Sequence, residues 1–422
     1  MKTSPLVRFS LSVVFFVELL LIISSCQKTP LSKGTTASKS EKEDAVKMLY
    51  STSDPNFVSI DDATMFAERI TPDVFRGKEN ATVKRSISST LILTNANNVP
   101  SLYIFNYANN EGFIVMSADS RYEPICAFVE EGNVSENDKV PPAFAAWFLT
   151  TREHIEAIRE DKSPGDNTGN QVSWVKLADR IQPAYVPLFL FRIREWYKDL
   201  ICDPYIYTSK GPLLNNRWGQ GCTYNDMIPV GGCSSDCGKA PTGCVATAGA
   251  ILSHYWAVPS TALHYNYAAM NRNFGDTGVQ RLMLNIGQAI NMDWQCGESG
   301  ASTGDLRKFF RYYLYYNAFG AYDTYQSSSR WDIKNDIDLG RPVILDGCTD
   351  QISLFHWSSG RCHAWLCDGY QLTTNSCGTA QFHFRMNWGW NGALTGYYFQ
   401  DNDWPPNSQY QYARNFLHNV HP

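Results

Sequence analysis

The chain has 422 residues, which exceeds the usual size of one domain, so two folded units behind a leader are expected. Its composition, 44% hydrophobic and 14% aromatic with 18% charged residues, is that of a globular protein and excludes a mainly disordered one. The net charge is -5 and the sequence has no basic block, so nucleic acid is not an expected partner, because neutralising phosphates requires clustered Lys and Arg.

The N-terminus predicts an export signal followed by a lipid-attachment site. A positively charged start precedes an apolar run over residues 11–23, which is short for a membrane span. The run ends in Ser-Ser-Cys26, which resembles the bacterial lipobox, whose cysteine is lipidated after cleavage. An ordinary signal peptide that happens to contain a cysteine is the alternative. We therefore expect a signal peptide over residues 1–26 and a lipidated Cys26.

The segment that follows the leader, residues 27–44, is rich in Ser, Thr and Lys and is expected to be a flexible tether. With the lipid on Cys26, the tether would hold an exported protein on the bacterial membrane in the cell envelope. Later release of a mature C-terminal domain into the medium is compatible with this arrangement.

Four short apolar runs between residues 90 and 134, separated by Asn, Gly and Asp clusters, predict an antiparallel meander. Apolar residues at helical spacing behind Pro141 and Pro142 predict an amphipathic helix packed on that sheet. The clearest linker follows it at residues 161–169, which contain Lys, Pro and Gly. The boundaries predicted from these features are a small α+β domain over residues 45–165 and a second domain over residues 171–422.

The second domain is dense in Trp, Tyr, Gly and Cys, and its strongest helix candidate follows Cys244. Strand-like segments occur at residues 342–346, 364–370 and 381–387. These elements predict a helical half that presents a cysteine and a sheet half that presents a histidine.

Twelve cysteines occur in the chain, and an exported protein can use them in disulfides. Ten remain after Cys26 and Cys244 are set aside, an even number compatible with bridging, although the sequence does not give the pairing. Zinc binding by the cluster Cys222, Cys233 and Cys237 is the metal alternative. No metal site is predicted, because the paired Cys-x-x-Cys spacing is missing from the sequence.

Cys244 is the candidate nucleophile. It follows Gly243, and the small residues after it can begin a tightly packed helix. At a helix N-terminus the unpaired backbone N–H groups favour a thiolate and can stabilise an oxyanion. A buried structural cysteine is the alternative interpretation of this segment.

A thiolate nucleophile needs a base that later protonates the leaving amine, so a histidine must come from elsewhere in the chain. Among eight histidines, His363 has the most suitable setting, because it lies at the start of an apolar strand, where its ring can project from a sheet edge. The other seven lack a comparable setting.

Three further residues are candidates for supporting roles. The amide of Asn387 could accept from the imidazole N–H and fix the ring, while the indole of Trp388 could keep water off that bond. Gln220, a short loop ahead of Cys244, could donate its amide to an oxyanion. The alternatives are an aromatic turn that only fills the core and an ordinary surface glutamine.

Four motifs occur in a fixed order along the second domain. They are Pro212-Leu213-Leu214 with Trp218-Gly219-Gln220, then Gly243-Cys244-Val245-Ala246-Thr247-Ala248, then His363-Ala364-Trp365 with Asp368-Gly369-Tyr370, and Asn387-Trp388-Gly389-Trp390 with Gly392. In these motifs the chain resembles the streptopain family of papain-like cysteine peptidases. Upstream, residues 110–122 look like that family's inhibitory propeptide, and the resemblance covers about residues 85–160 and 205–400.

The resemblance implies an α+β papain-like catalytic domain preceded by a propeptide, made as a zymogen without a cofactor. It implies that Cys244 is the nucleophile of an endopeptidase acting on proteins or peptides, His363 its general base and acid, Asn387 the orienter of His363, Trp388 the shield and Gln220 the oxyanion donor. The propeptide would be an intramolecular inhibitor removed by cleavage between about Asp161 and Gly211. A transglutaminase-like acyl transfer and a non-catalytic surface-binding protein on the same scaffold are the alternatives.

Overall fold

The computed structural model describes residues 54–78, 83–160, 168–183, 185–197, 205–258, 263–349, 362–400 and 410–422. The predicted signal peptide, Cys26 and the tether lie outside these residues. Within the described ranges, no helix is both long enough and apolar enough to cross a membrane.

The N-terminal region, which we define as residues 54–197, combines helices with a four-stranded meander. In chain order its elements are α1 (Ile60–Ala67), α2 (Pro72–Phe75), β1 (Ile87–Thr94), β2 (Pro100–Tyr107), β3 (Phe113–Ser117), β4 (Ile125–Val129), α3 (Pro142–Arg159), α4 (Thr168–Ile181) and α5 (Leu188–Tyr197). The predicted meander is confirmed, since β1 to β4 pair in sequence order and antiparallel.

The C-terminal region, defined as residues 205–422, contains four α-helices among its described residues, together with the remaining strands. They are β5 (Ile206–Lys210), α6 (Cys244–Trp256), α7 (Thr277–Ala289), β6 (Asp293–Trp294), β7 (Ser299–Gly300), α8 (Leu306–Tyr312), β8 (Ala318–Thr324), α9 (Ser329–Asp338), β9 (Val343–Thr349), β10 (Cys362–Thr374), β11 (Ala380–Asn387), β12 (Gly396–Gln400) and β13 (Tyr410–His421). The helical half and the sheet half were both predicted, and the α+β class is confirmed.

The two regions share one antiparallel sheet, which the sequence did not predict. Its order is β1-β2-β3-β4-β12-β11-β10-β9-β13-β8, and β5 also pairs with β10. The junction is the β4–β12 pair, in which Val129 lies opposite Gly396 and Phe128 opposite Tyr397. An added side chain at Gly396 would lie 2.6 Å from the Val129 side chain, so the close approach of β4 requires glycine there.

Helix α3 differs from its prediction. It was expected to be amphipathic and to cover the meander, but every residue from Pro142 to Thr151 is buried. The helix lies chiefly against β13, β9 and β10 of the C-terminal region and touches β2 less. Trp147 Nε1 donates to the carbonyl of Phe399 on β12 at 3.1 Å. Burial on all sides of its first half follows from this position between the two regions.

Helices α4 and α5 belong to the core of the N-terminal region. Trp174 of α4 makes edge-to-face contacts with Phe66 of α1 and Phe189 of α5, and its Nε1 donates to the Tyr122 carbonyl at 2.9 Å. These helices therefore pack with the meander although they follow the predicted linker, of which residues 161–167 lie outside the described part of the chain.

Three disulfides join cysteines of the C-terminal region. They are Cys222–Cys237, Cys233–Cys296 and Cys348–Cys362, and Cys377 is also disulfide-bonded. The three cysteines that raised the zinc alternative are therefore oxidised and cannot serve as thiolate ligands. Among the described residues, Cys126, Cys244 and Cys367 keep their thiols outside these disulfides.

Candidate active site

Cys244 is the first residue of α6, as the sequence predicted. Gly243 precedes it with a φ of 91°, which favours glycine. An added Cβ at Gly243 would also lie 2.6 Å from the Met292 side chain. Thr247, one turn into the helix, donates back to the Gly243 carbonyl at 3.1 Å. The local sequence thus places a half-buried thiol at a helix N-terminus.

The thiol of Cys244 lies against β10. Burial raises its pKa to about 11, and hydrogen bonds from the backbone N–H groups of Ala364, Val245 and Cys244 itself oppose that rise. Ala364 is the residue after His363. The Cys244 sulfur therefore lies beside the strand that carries His363, so the two candidate residues come from adjacent elements.

The ring of His363 is buried among tryptophans. It stacks on Trp365 with ring centroids 6.3 Å apart and meets Trp390 edge-on at 5.9 Å. His363 Nε2 lies 2.8 Å from the carbonyl oxygen of Trp388. Burial lowers the pKa of His363 to about 4, although the Trp388 carbonyl acts in the opposite direction.

The contact with Trp388 decides which ring nitrogen of His363 carries the proton. A carbonyl oxygen only accepts, so Nε2 donates, and Nδ1 of the neutral ring is left as an acceptor. Within the described residues, no hydrogen bond joins this ring to the Cys244 thiol. At neutral pH this conformation therefore holds a neutral thiol and a neutral imidazole rather than an ion pair.

Asn387 and Trp388 occupy the site, but their contacts differ from those predicted. Asn387 Nδ2 donates to the Asn216 carbonyl at 2.9 Å, and its Oδ1 accepts from the Gly389 N–H at 3.1 Å. The bond expected from Asn387 to His363 is made instead by the Trp388 backbone carbonyl. The Trp388 indole is fully buried and donates to the Leu394 carbonyl.

Trp390 is the residue that sequence reasoning missed, because its indole, and not that of Trp388, touches the His363 ring. The motif itself offered Trp390 as a second candidate for the contact with His363, since Trp390 lies two residues beyond Trp388. Only the course of the turn at Gly389, where φ is 65°, decides which of the two indoles faces the histidine.

The loop that carries Gln220 lies beside the start of α6. The Gln220 carbonyl accepts from the Thr242 N–H at 2.8 Å, two residues before Cys244. The turn after Trp388 rests on the same loop, because the Asn391 N–H donates to the Trp218 carbonyl at 3.2 Å. The structure thus brings Gln220, Cys244 and the His363 environment together around one end of α6.

Asp368 links the motif that contains Leu214 and Gln220 to the motif that contains His363. It is fully buried, and both of its carboxylate oxygens accept from Arg385 Nη1, at 2.8 and 2.7 Å. The backbone N–H of Leu214 donates to the same carboxylate at 2.9 Å. Asp368 therefore anchors the segment that leads to Gln220 onto the strand that carries His363.

The N-terminal region reaches this site through aromatic contacts. Phe144 of α3 meets Trp388 edge-on at 6.2 Å, and Trp388 in turn lies 5.3 Å from Trp365. Trp365 stacks on His363. Helix α3 thus supports the aromatic cluster that buries the histidine.

Two buried histidines make the stability of the uncleaved chain depend on pH. Burial lowers the pKa of His363 and of His383 from 6.5 to about 4, and His383 Nε2 donates to the Ile125 carbonyl at the β4 junction. Between pH 6.5 and 4 the unfolded chain binds more protons, so stability is full above pH 6.5 and falls as the pH drops. We expect each histidine to cost about 1–3 kcal/mol of unfolding free energy at pH 4.5 relative to pH 7.

Urea unfolding of the full-length Cys244→Ala chain, confirmed as uncleaved by its size, at the two pH values measures this loss. Glutamine in His383→Gln can still donate to the Ile125 carbonyl but does not titrate. The free energy of unfolding of this variant should therefore fall by about 1–3 kcal/mol less between pH 7 and pH 4.5. An equal loss in both chains would show that His383 does not contribute.

Two protein families match this chain, one in each of the two regions of the fold. The Peptidase C10 family matches residues 218–278 and 261–398, and the Spi protease inhibitor family matches residues 55–155. The two matches fall on the C-terminal and N-terminal regions respectively.

Individual relatives are similar over most of the chain. Streptopain of Streptococcus pyogenes, including that of serotype M1, is 23% identical over 347 residues, which is 71% of this chain and 74% of the relative. The structure of a fragment of Prevotella intermedia prointerpain A has a TM-score of 0.53 at 22% identity and covers 79% of this chain and 99% of that one, so the fold is similar. The chain belongs to the Peptidase C10, or streptopain, family and is a cysteine peptidase zymogen with an inhibitor propeptide domain.

Proposed function

We propose that Cys244 and His363 are the catalytic pair of this endopeptidase. The observation that supports the proposal is the position of Cys244, which begins α6 and packs against the core that contains Ala364, the residue after His363 on β10. If the proposal is correct, a thiol-directed epoxide inactivates the mature enzyme through Cys244.

The reaction proceeds through an acyl-enzyme. His363 Nδ1 takes the thiol proton, and the Cys244 thiolate attacks the scissile carbonyl carbon. The backbone N–H of Cys244 and the Gln220 amide stabilise the oxyanion. The imidazolium then protonates the leaving amine nitrogen as the C–N bond breaks, and water hydrolyses the thioester.

The Trp388 carbonyl and Trp390 support the histidine in this reaction. An Nε2–H that donates to the carbonyl keeps Nδ1 available as the base, and the same carbonyl stabilises the imidazolium once it forms. Asn387 holds the turn through Asn216 and Gly389 and remains a candidate orienter after activation. Trp390, together with Trp388, excludes water from the ring.

Latency follows from the state of the two reactive groups. The N-terminal region, as the propeptide, supports the aromatic cluster through Phe144 and keeps His363 dry and neutral. A buried thiol without an adjacent cation stays protonated, so the uncleaved chain lacks the nucleophile. Removal of α3 would expose the cluster and let the ring take up a proton, and the imidazolium would then lower the pKa of the Cys244 thiol.

Export and anchoring complete the proposal. A signal peptide over residues 1–26, a lipid on Cys26 and a tether over residues 27–44 would place the zymogen in the bacterial cell envelope, and cleavage would free the protease from the anchor. The three disulfides support this, since disulfides persist in oxidising compartments.

The packing of α4 and α5 narrows the proposed maturation site. Helix α5 ends at Tyr197 and shares the core of the N-terminal region, whereas β5 begins at Ile206 and pairs with β10. We expect cleavage between Tyr197 and Ile206, so that both helices leave with the propeptide. N-terminal mass mapping should find the mature chain beginning in this interval and the precursor beginning at an acylated Cys26. A mature chain that begins before Leu188 would contradict the proposed cleavage site. An unmodified Cys26 would contradict the proposed lipid anchor.

A further inference from the structure

One face of the C-terminal sheet carries a carboxylate close to Cys244. In the register of β9 and β10, Asp346 lies directly opposite Ala364, whose N–H bonds the Cys244 sulfur. Ala364 and Ile344 belong to the core that α6 covers, and side chains alternate along a strand, so Asp346 lies on the Cys244 face of the sheet.

The carboxylate of Asp346 is held in place by two neutral donors. Tyr322 of β8 donates its hydroxyl to Oδ2 at 2.7 Å, and Asn415 of β13 donates its amide to Oδ1 at 3.1 Å. Each oxygen therefore has a fixed position, while Asp346, Tyr322 and Asn415 all remain partly open to solvent. The group is oriented but its charge is not neutralised.

Two fully buried carboxylates of the described residues are paired with cations. Asp368 binds Arg385, and Asp119 binds both Arg121 and Arg159. Among the described residues, no lysine, arginine or histidine forms an ion pair with Asp346. The difference indicates that the negative charge of Asp346 is left available.

That charge is unfavourable for the nucleophile. The Asp346 carboxylate is close enough to Cys244 to contribute to the raised pKa of the thiol, because a nearby anion disfavours the thiolate. A neutral residue accepting the same two hydrogen bonds would avoid this effect. A cation bound at Asp346 would also remove it, and a peptide substrate can supply one.

We propose that Asp346, positioned by Tyr322 and Asn415, forms a substrate subsite that binds a lysine or arginine side chain next to the scissile bond. The inference rests on Cys244 being the nucleophile, since only then do substrates bind along this face. A basic side chain would gain a charge-assisted hydrogen bond to a carboxylate that is already oriented. The enzyme would therefore prefer substrates with one basic residue at a defined position.

The test compares cleavage of fluorogenic peptides that carry lysine, acetyl-lysine or glutamate at each position flanking the scissile bond. Mature enzyme is produced from the full-length chain by processing in trans with tagged wild-type protease, which is then removed. We expect kcat/KM for lysine to exceed that for acetyl-lysine by about tenfold or more at one position. In Asp346→Asn the ratio of kcat/KM for lysine to kcat/KM for acetyl-lysine should fall to about one.

Asp323→Asn is the matched control. Asp323 is an exposed carboxylate on the same strand as Tyr322, where it binds His418, and its loss should leave the ratio unchanged. A wild-type enzyme without a preference for lysine, or an Asp346→Asn enzyme with an unchanged ratio, overturns the subsite while leaving the nucleophile intact. If Asp346→Asn does not fold, the lysine, acetyl-lysine and glutamate series on the wild-type enzyme still decides the question. Failure of the proposed function itself would appear as activity that survives in Cys244→Ala.

Discussion

Replacing Cys244 by alanine is expected to abolish peptide hydrolysis and to leave the precursor uncleaved. In the proposed mechanism this sulfur forms the acyl-enzyme, and neither the proposed oxyanion donors nor the histidine could replace it. We expect a fall in kcat of at least about 10³-fold, since removing a nucleophile leaves only the contribution of binding and oxyanion stabilisation. Turnover of a fluorogenic peptide and the size of the purified chain over time measure the two effects.

Cys367→Ala is the control for this variant. Cys367 is a free and fully buried thiol on the same strand as His363, so its loss tests for an unspecific effect of removing a cysteine. It should retain activity. Self-processing by Cys244→Ala, purified alone, would count against autocatalytic maturation, and residual turnover equal to that of Cys367→Ala would exclude Cys244 as the nucleophile.

Replacing His363 by alanine is expected to lower kcat by about 10²- to 10⁴-fold, the usual contribution of a general acid and base. Without the imidazolium, no nearby cation opposes the effect of burial on the thiol pKa, so the thiolate forms only at alkaline pH. The remaining activity should therefore rise steeply towards alkaline pH, whereas the wild-type profile is bell-shaped. Stopped assays on mature enzyme processed in trans measure both curves.

His418→Ala provides the comparison for the histidine variant. His418 lies on β13, where it binds Asp323 and stacks on Phe416, and among the described residues its contacts are outside the candidate site. Its pH profile should match that of the wild type. If His363→Ala kept a bell-shaped profile at full height, another residue would be the base.

The local structure around Cys244 and His363 could be predicted because short motifs encode it. Gly243 with the small residues after Cys244 predicts a helix start, and an apolar strand after His363 predicts a sheet edge. Their meeting follows from the family's fold rather than from either segment. The resemblance therefore supplied the long-range step that periodicity cannot supply.

The features that were missed depend on contacts between distant segments. Pairing of β4 with β12 joins residues more than 250 positions apart, and no local pattern indicates which strand edges will meet. For the same reason α3 was predicted to cover the meander alone, since its second sheet partner is formed by later strands. The hydrogen bond from Asn387 to the Asn216 carbonyl likewise joins two distant segments, so the motif around Asn387 does not indicate it.

Cys244 is expected to gain its reactivity from His363 once the propeptide has left. Labelling with an epoxysuccinyl thiol probe at pH 6, followed by mass mapping of the modified cysteine, tests this claim. Rapid labelling of Cys244 is predicted in the mature enzyme, with little labelling in the uncleaved precursor or in mature His363→Ala. Labelling of Cys244 at the same rate in all three chains, or modification of another cysteine in the mature enzyme, would contradict it.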